Sequence, residues 1–209
     1  MKYIKIENLN FEYEKNKPIL KNINIEMDKG EILGVYGESG IGKTTLLNII
    51  AGFENETSGL IYIDGEKINS VPVEKRNIAF IFQDYALFPH LTVEKNIAFG
   101  IKEKNHERKR KKIDELLSLV KLENFATRYP YELSGGQQQR VALVRGLATE
   151  PRMLLMDEPF SNLDEKLKDE LIIQLKKIIK NFCITTIFVS HDIQDIKKMG
   201  GRVFEISKK

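Results

Sequence analysis

Gly37-Glu38-Ser39-Gly40-Ile41-Gly42-Lys43-Thr44 decides the fold, because it follows the pattern G-x-x-x-x-G-K-[ST]. Its flanks agree with it. Ile32-Leu33-Gly34-Val35-Tyr36 before it reads as a buried strand, and Thr45 to Ala51 after it as a helix that Gly52 stops. Strand, glycine loop, helix is what phosphate binding requires: glycines let backbone N–H groups converge on phosphate oxygens, and the helix N-terminus adds its positive end. The expected cradle is Gly37, Glu38, Ser39, Gly40, Ile41, Gly42, Lys43, Thr44 and Thr45. Lys43 would reach the outer phosphates and the Thr44 hydroxyl would ligate Mg²⁺.

Away from the loop, the chain reads as an α/β protein of 209 residues, 42% hydrophobic, with 33 basic and 30 acidic side chains. That charge balance is too even to argue for nucleic acid by itself, and no nucleic-acid partner is expected. No run approaches the ~18 apolar residues of a membrane span. A single cysteine, Cys183, excludes an internal disulfide; beside the apolar run Ile184–Val189 it reads as a buried thiol. Alternation at Ile4 and Ile6, and at Ile23, Ile25 and Met27, predicts half-wet antiparallel strands. Leu60–Ile63 and Ile78–Phe82 predict two more strands. Residues 84–150 carry helical patterns instead: Ile113, Leu116, Leu117 and Val120 share one face, and Gln137–Leu147 is helical in composition. Strand signals return at Met153–Met156, Thr186–Val189 and Val203–Ile206, around a helix marked by Leu167, Leu171, Leu175, Ile178 and Ile179. The expected organisation is one domain over 1–209: a core of about 1–83 and 151–209 and a helical insert of about 84–150.

Two further stretches carry chemistry. Met153-Leu154-Leu155-Met156-Asp157-Glu158 is an apolar strand that delivers two carboxylates to the ligand edge of a parallel sheet. Asp157 would hold the Mg²⁺ shell, and Glu158 would polarise the water that attacks a γ-phosphate. Leu133-Ser134-Gly135-Gly136-Gln137 opens a helix with glycines and a hydroxyl, which reads either as a second anion site or as an N-cap turn. Lys102–Lys112 holds seven Lys/Arg and two Glu without interleaved aromatics, hence a solvated face rather than a base-stacking surface; proximity to anionic lipid is the next reading.

In chain order, the Gly37–Thr44 phosphate-binding loop (P-loop), Gln83, Leu-Ser-Gly-Gly-Gln, Met156-Asp157-Glu158-Pro159, Ser161-Asn162-Leu163-Asp164 and Ser190-His191-Asp192 closely resemble the ATP-binding cassette (ABC) ATPases, over about Tyr3 to Ile206. The resemblance implies an ATPase with ATP and Mg²⁺ as ligands. It implies Tyr13 stacked on adenine, with Phe11 as competitor, and Gln83 touching Mg²⁺ and the attacking water. Ser134, Gly136 and Gln137 would clasp the γ-phosphate held by an opposite subunit, Asp164 would lie in a loop crossing the dimer interface, and His191 would meet the γ-phosphate. The catalytic set would be Glu158, His191, Gln83 and Lys43, and the metal set Thr44, Gln83 and Asp157.

Ala86–Val93 resembles importer-type cassettes, with Phe88 and His90 as partner contacts. The expectation is therefore a homodimer that powers a membrane permease from the cytoplasmic face, with an extracytoplasmic substrate-binding protein in the same system. Cassettes of lipoprotein-release or cell-division complexes, and of DNA repair, are the alternatives. Importer cassettes often continue into a C-terminal β-domain, which a sequence running to Lys209 leads us not to expect. Gly200-Gly201-Arg202 stands where the family usually has an Asp-Arg pair, and the family's final glycine-containing strand pair is not expected after Ile206, which puts the stability of the last sheet edge in question.

Overall fold

Five parallel strands form the centre of the molecule, and their C-terminal ends carry the loops of interest. The computed structural model describes residues 2–161 and 163–207; Met1, Lys208, Lys209 and Asn162 of the Ser161–Asp164 motif lie outside the described residues. In chain order the elements are β1 (Ile4–Glu14), β2 (Lys17–Met27), β3 (Ile32–Tyr36), α1 (Lys43–Ala51), β4 (Ser58–Ile63), β5 (Glu66–Lys67) and β6 (Ile78–Ile81). Then come α2 (Val93–Phe99), α3 (His106–Leu119), α4 (Gly135–Leu147), β7 (Met153–Asp157), α5 (Glu165–Asn181), β8 (Thr185–Ser190), α6 (Ile193–Met199) and β9 (Arg202–Glu205).

The antiparallel sheet runs β2-β1-β4-β5 and the parallel sheet β6-β7-β8-β3-β9. In β1, Ile4 and Ile6 are buried and then Leu9 and Phe11, so the inward phase shifts by one residue. The shift falls at Asn8, whose φ of 48° makes a bulge, and Asn22 (φ 49°) does the same in β2. Asparagine side chains close both bulges: Asn24 Oδ1 accepts from the Asn8 N–H and Asn10 Oδ1 from the Asn22 N–H, each at 2.9 Å.

In the parallel sheet the central strands β7 and β8 are buried along their whole length, on both faces, which explains their apolar runs. One face (Leu33, Val35, Leu155, Ile187 and Val189) joins α1 and the antiparallel sheet in one core. The other (Ala79, Ile81, Leu154, Met156 and Phe188) packs with α2 to α6 in a second. Gly34 faces Ile196 of α6 so closely that a Cβ there would lie 2.4 Å from its methyl carbon. Between β6 and β7 the secondary structure is helical throughout the described residues.

The last edge strand is held: β9 pairs in parallel with β3, and the Ile206 N–H extends the ladder to Tyr36 O at 2.9 Å. Cys183 corrects the sequence reading, because it is exposed. Phe182 caps α5, and Cys183 takes a left-handed φ of 52° that turns the chain outward; burial resumes at Ile184.

Candidate functional site

The P-loop joins β3 to α1, and its backbone follows from glycine. Gly42, the α1 N-cap, has φ 104° and passes so close to Ile19 that a Cβ would lie 2.7 Å from its Cγ2. At the other end Gly52 caps α1 with φ 92°, as its position after Ala51 predicts. Lys43 is buried and folds back over the loop, donating to Gly37 O at 2.8 Å and Glu38 O at 2.9 Å. Ile41 is buried beneath the loop, while Ser39, Gly40, Gly42, Lys43, Thr44 and Thr45 line an open cleft of about 360 Å³. Tyr13, Ile19, Gln83 and Glu158 complete its walls. Tyr13 is 60% exposed and Phe11 5%, so of the two aromatics Tyr13 is the one open to the cleft. Phe11 supports it edge-on, with ring centroids 4.6 Å apart.

Neighbouring strands deliver the polar groups. Asp157 ends β7, and its Oδ1 accepts from the Thr44 hydroxyl at 3.0 Å. Burial raises the Asp157 pKa above its ordinary value and the adjacent Glu158 charge adds to the rise; the Thr44 hydrogen bond and Lys43 oppose it. Glu158 follows with φ 42°, and its Oε2 lies 3.1 Å from His191 Nδ1, beyond the end of β8. Gln83, two residues past β6, reaches Ser161 Oγ at 3.4 Å, and that hydroxyl donates to Glu158 O at 3.1 Å.

Ser134, Gly136 and Gln137 lie at the N-terminus of α4 and do not line the cleft. Ser134 and Gln137 form a reciprocal capping box: the Gln137 side chain accepts from the Ser134 N–H at 2.9 Å and Ser134 Oγ from the Gln137 N–H at 3.4 Å. The N-cap reading of this turn therefore holds. Gly136 packs against Leu167 of α5, where a Cβ would come within 2.7 Å. Asp164 caps α5, accepting from the Leu167 N–H at 3.0 Å.

Residues 20–161, more than half of the chain, match the family model described as ABC transporter. The chain belongs to the ABC transporter family. The spermidine/putrescine import ATP-binding protein PotA of Thermotoga maritima is 48% identical over 187 residues, covering 88% of this chain and 51% of that protein. The sulfate/thiosulfate import ATP-binding protein CysA of Bacillus cereus is 46% identical over 190 residues, with 88% and 53% covered. The chain thus spans about half the length of these curated relatives. Among solved ABC cassettes, the dimeric post-hydrolysis structure of MJ0796 bound to ADP and Pi matches with a TM-score of 0.85 at 35% identity, over 97% of this chain and 94% of that one. The structure of cbiO1 from Clostridium perfringens, part of the cbiONQ transporter complex, matches with a TM-score of 0.90 at 30% identity, over 98% and 84%. The two-sheet α/β architecture is that of the ABC ATPase fold.

Several residues that shape this ABC cassette escaped the sequence reading. Arg76 is buried and donates to Ile49 O and Ile50 O, both at 2.8 Å, thereby capping the C-terminal carbonyls of α1. Asn96 is fully buried and holds the turn after Gln83: its Oδ1 accepts from the Phe88 N–H, and its amide lies 3.1 Å from Phe88 O, Leu91 O and Thr92 O. Arg145 staples the same segment to α4 through Tyr85 O and Ala86 O. Helix-end carbonyls call for donors, but no local pattern says that a side chain 26 or 27 residues away supplies them.

Proposed function

We propose that this chain binds and hydrolyses ATP to power an importer, as a dimer that sandwiches two nucleotides and docks on permease subunits at the cytoplasmic face of the membrane. The observation that carries the reading is Glu158 held beside His191 at the mouth of a P-loop cleft. Adenine would stack on Tyr13, and the phosphates would follow the loop toward Lys43, two of whose three ammonium hydrogens are taken by loop carbonyls.

Thr44 and Asp157 suit a hard divalent cation. Among the described residues no group of three His, Cys, Asp or Glu side chains could hold a metal alone. A hydroxyl and a buried carboxylate fit Mg²⁺, which draws its remaining ligands from phosphate oxygens and water. Bound there, Mg²⁺ would neutralise charge on the β- and γ-phosphates. Glu158 would accept the proton of the attacking water. His191, steadied through Nδ1, would turn Nε2 toward the γ-phosphate, and Gln83 would help to place the water. Ser134, Gly136 and Gln137 stand apart from the cleft in one chain, so they would serve the nucleotide of the opposite subunit in a symmetric pair.

Relatives named for polyamine and for sulfate import carry cargo of opposite charge, yet match at 48% and 46% identity. The import reading therefore rests on the cassette, and cargo choice belongs to the permease and an extracytoplasmic binding protein. Among the described residues no helix is long and apolar enough to cross a membrane. Docking would use the exposed His90 and the half-buried Phe88, which packs 4.8 Å from the Phe99 ring. The domain organisation we propose is a nucleotide-binding core with 84–150 as the helical subdomain that carries this surface.

Glu158→Gln tests the reading. The amide keeps the size but cannot accept the proton, so nucleotide binding should persist while turnover falls by about 10²-fold or more. Turnover near wild type would reject Glu158 as the base.

A further inference from the structure

Behind His191 lies a buried polar cluster that the hydrolysis scheme leaves unused. Ser190, the last residue of β8, is buried, and its Oγ accepts from the Asp192 N–H at 3.0 Å and lies 3.3 Å from Asp195 Oδ2. Asp195, in the first turn of α6, is 4% exposed. Its other oxygen lies 3.2 Å from Nζ of Lys168, a residue of α5 that is itself 9% exposed. The same ammonium sits 3.0 Å from Glu165 Oε1 and 3.8 Å from Asp192 Oδ2. It thus gathers both carboxylates that follow His191, Asp192 and Asp195, onto the N-terminal end of α5.

Burial makes these groups costly. It raises the Asp195 pKa despite the Lys168 and Ser190 contacts. For Lys168 burial works against the charge, but the neighbouring Glu165 and Asp195 carboxylates outweigh it and the pKa rises. A buried Lys–Asp pair adds little net stability over an apolar pair of the same shape. What it does provide is a fixed position. The turn it fixes holds His191, whose side chain is 62% exposed and whose other observed anchor is the single contact with Glu158.

We propose that Lys168 and Asp195 are positioning residues for ATP hydrolysis: the pair clamps the Ser190–Asp192 turn from α5, and the turn holds the His191 imidazole beside Glu158. This rests on the hydrolysis reading above. Neither residue lines the nucleotide cleft, so their loss should act on turnover and leave nucleotide affinity in place.

The test uses the full chain with Mg-ATP and measures kcat per bound nucleotide, ATP affinity and thermal unfolding for Lys168→Met, Lys168→Arg, Asp195→Asn and His191→Ala. Lys168→Met should lower kcat roughly 10- to 100-fold, the range that misplacement of a reacting group produces, with Kd within about twofold of wild type. Lys168→Arg keeps the charge and should recover kcat to within about threefold. If Lys168→Met does not fold, Asp195→Asn carries the same comparison, since its amide still offers an acceptor to Ser190. The His191 imidazole signal, one of three in the chain and assignable through His191→Ala, should shift in the Lys168 variant. A purely structural pair would lower the unfolding temperature while leaving kcat per bound nucleotide and that signal unchanged, and this would overturn the proposal. Wild-type turnover in His191→Ala would instead remove the hydrolytic reading on which the proposal stands.

Discussion

His191 Nδ1 lies 3.1 Å from Glu158 Oε2, although the two residues leave the sheet from different strands. β7 and β8 are neighbours, and their register sets Asp157 beside Val189, so Glu158 and the residue two after Val189 emerge at one edge. Glu158 turns there with a left-handed φ of 42°, uncommon for a residue other than glycine. Glu158 and His191 are therefore brought together by the fold itself. A carboxylate at Nδ1 also orients the ring and leaves Nε2 for another partner.

Tyr13 should carry much of the affinity for the base. Stacking a base on an aromatic ring contributes about 1–3 kcal/mol, so Tyr13→Ala should raise the Kd of a non-hydrolysable ATP analogue roughly 5- to 150-fold. Tyr13→Phe should stay within about twofold. Calorimetric titration distinguishes these outcomes, and unchanged affinity in Tyr13→Ala would place adenine elsewhere.

The Asp157 carboxyl gives a pH signature. Its pKa is raised above the ordinary 3.8, mainly by burial. A raised acid binds its proton more tightly folded than unfolded, so its stability contribution is full below about 3.8 and is lost as pH rises through the folded value. At neutral pH the ionised group opposes folding in the nucleotide-free protein. Asp157→Asn should therefore unfold at a higher temperature than wild type at pH 7, with the gap closing toward pH 4. Mg-ATP should reverse that order, because wild type gains more from binding. Equal unfolding temperatures at every pH would contradict the assignment.

Asn96 offers a stability test next to the proposed docking surface. Replacing it with Ala removes the partners of Phe88 N and Phe88 O, and a buried group left unpaired costs about 1–3 kcal/mol. Urea unfolding should show a loss of ~2 kcal/mol or more. A loss under about 0.5 kcal/mol would mean that water or a rearranged turn satisfies those groups.

The elements that were legible in the sequence are those whose signal is local. β3, the loop and α1 announce themselves because glycines, an apolar run and a helix stop are contiguous. The carboxylates at the end of β7 are legible for the same reason. The order β6-β7-β8-β3-β9 has no local signature, and the Glu158–His191 contact depends on it. The bulges at Asn8 and Asn22 shift a period-two pattern by one residue, which blurs the alternation across the first two strands. Cys183 was misread because an apolar run suggests burial one residue before the chain actually turns inward.

Composite sites shared between two chains are the central claim, and a mixed dimer tests it most directly. Lys43→Ala removes the charge for the outer phosphates in the cleft, and Ser134→Arg blocks the α4 turn, which does not line that cleft. Each variant should be inactive as a homodimer. A forced heterodimer of the two has one site with both lesions and one with neither. ATP hydrolysis by that heterodimer should rise clearly above either homodimer, to as much as about half of wild type if the two sites act independently. A correctly assembled, folded heterodimer no more active than the homodimers would contradict the account.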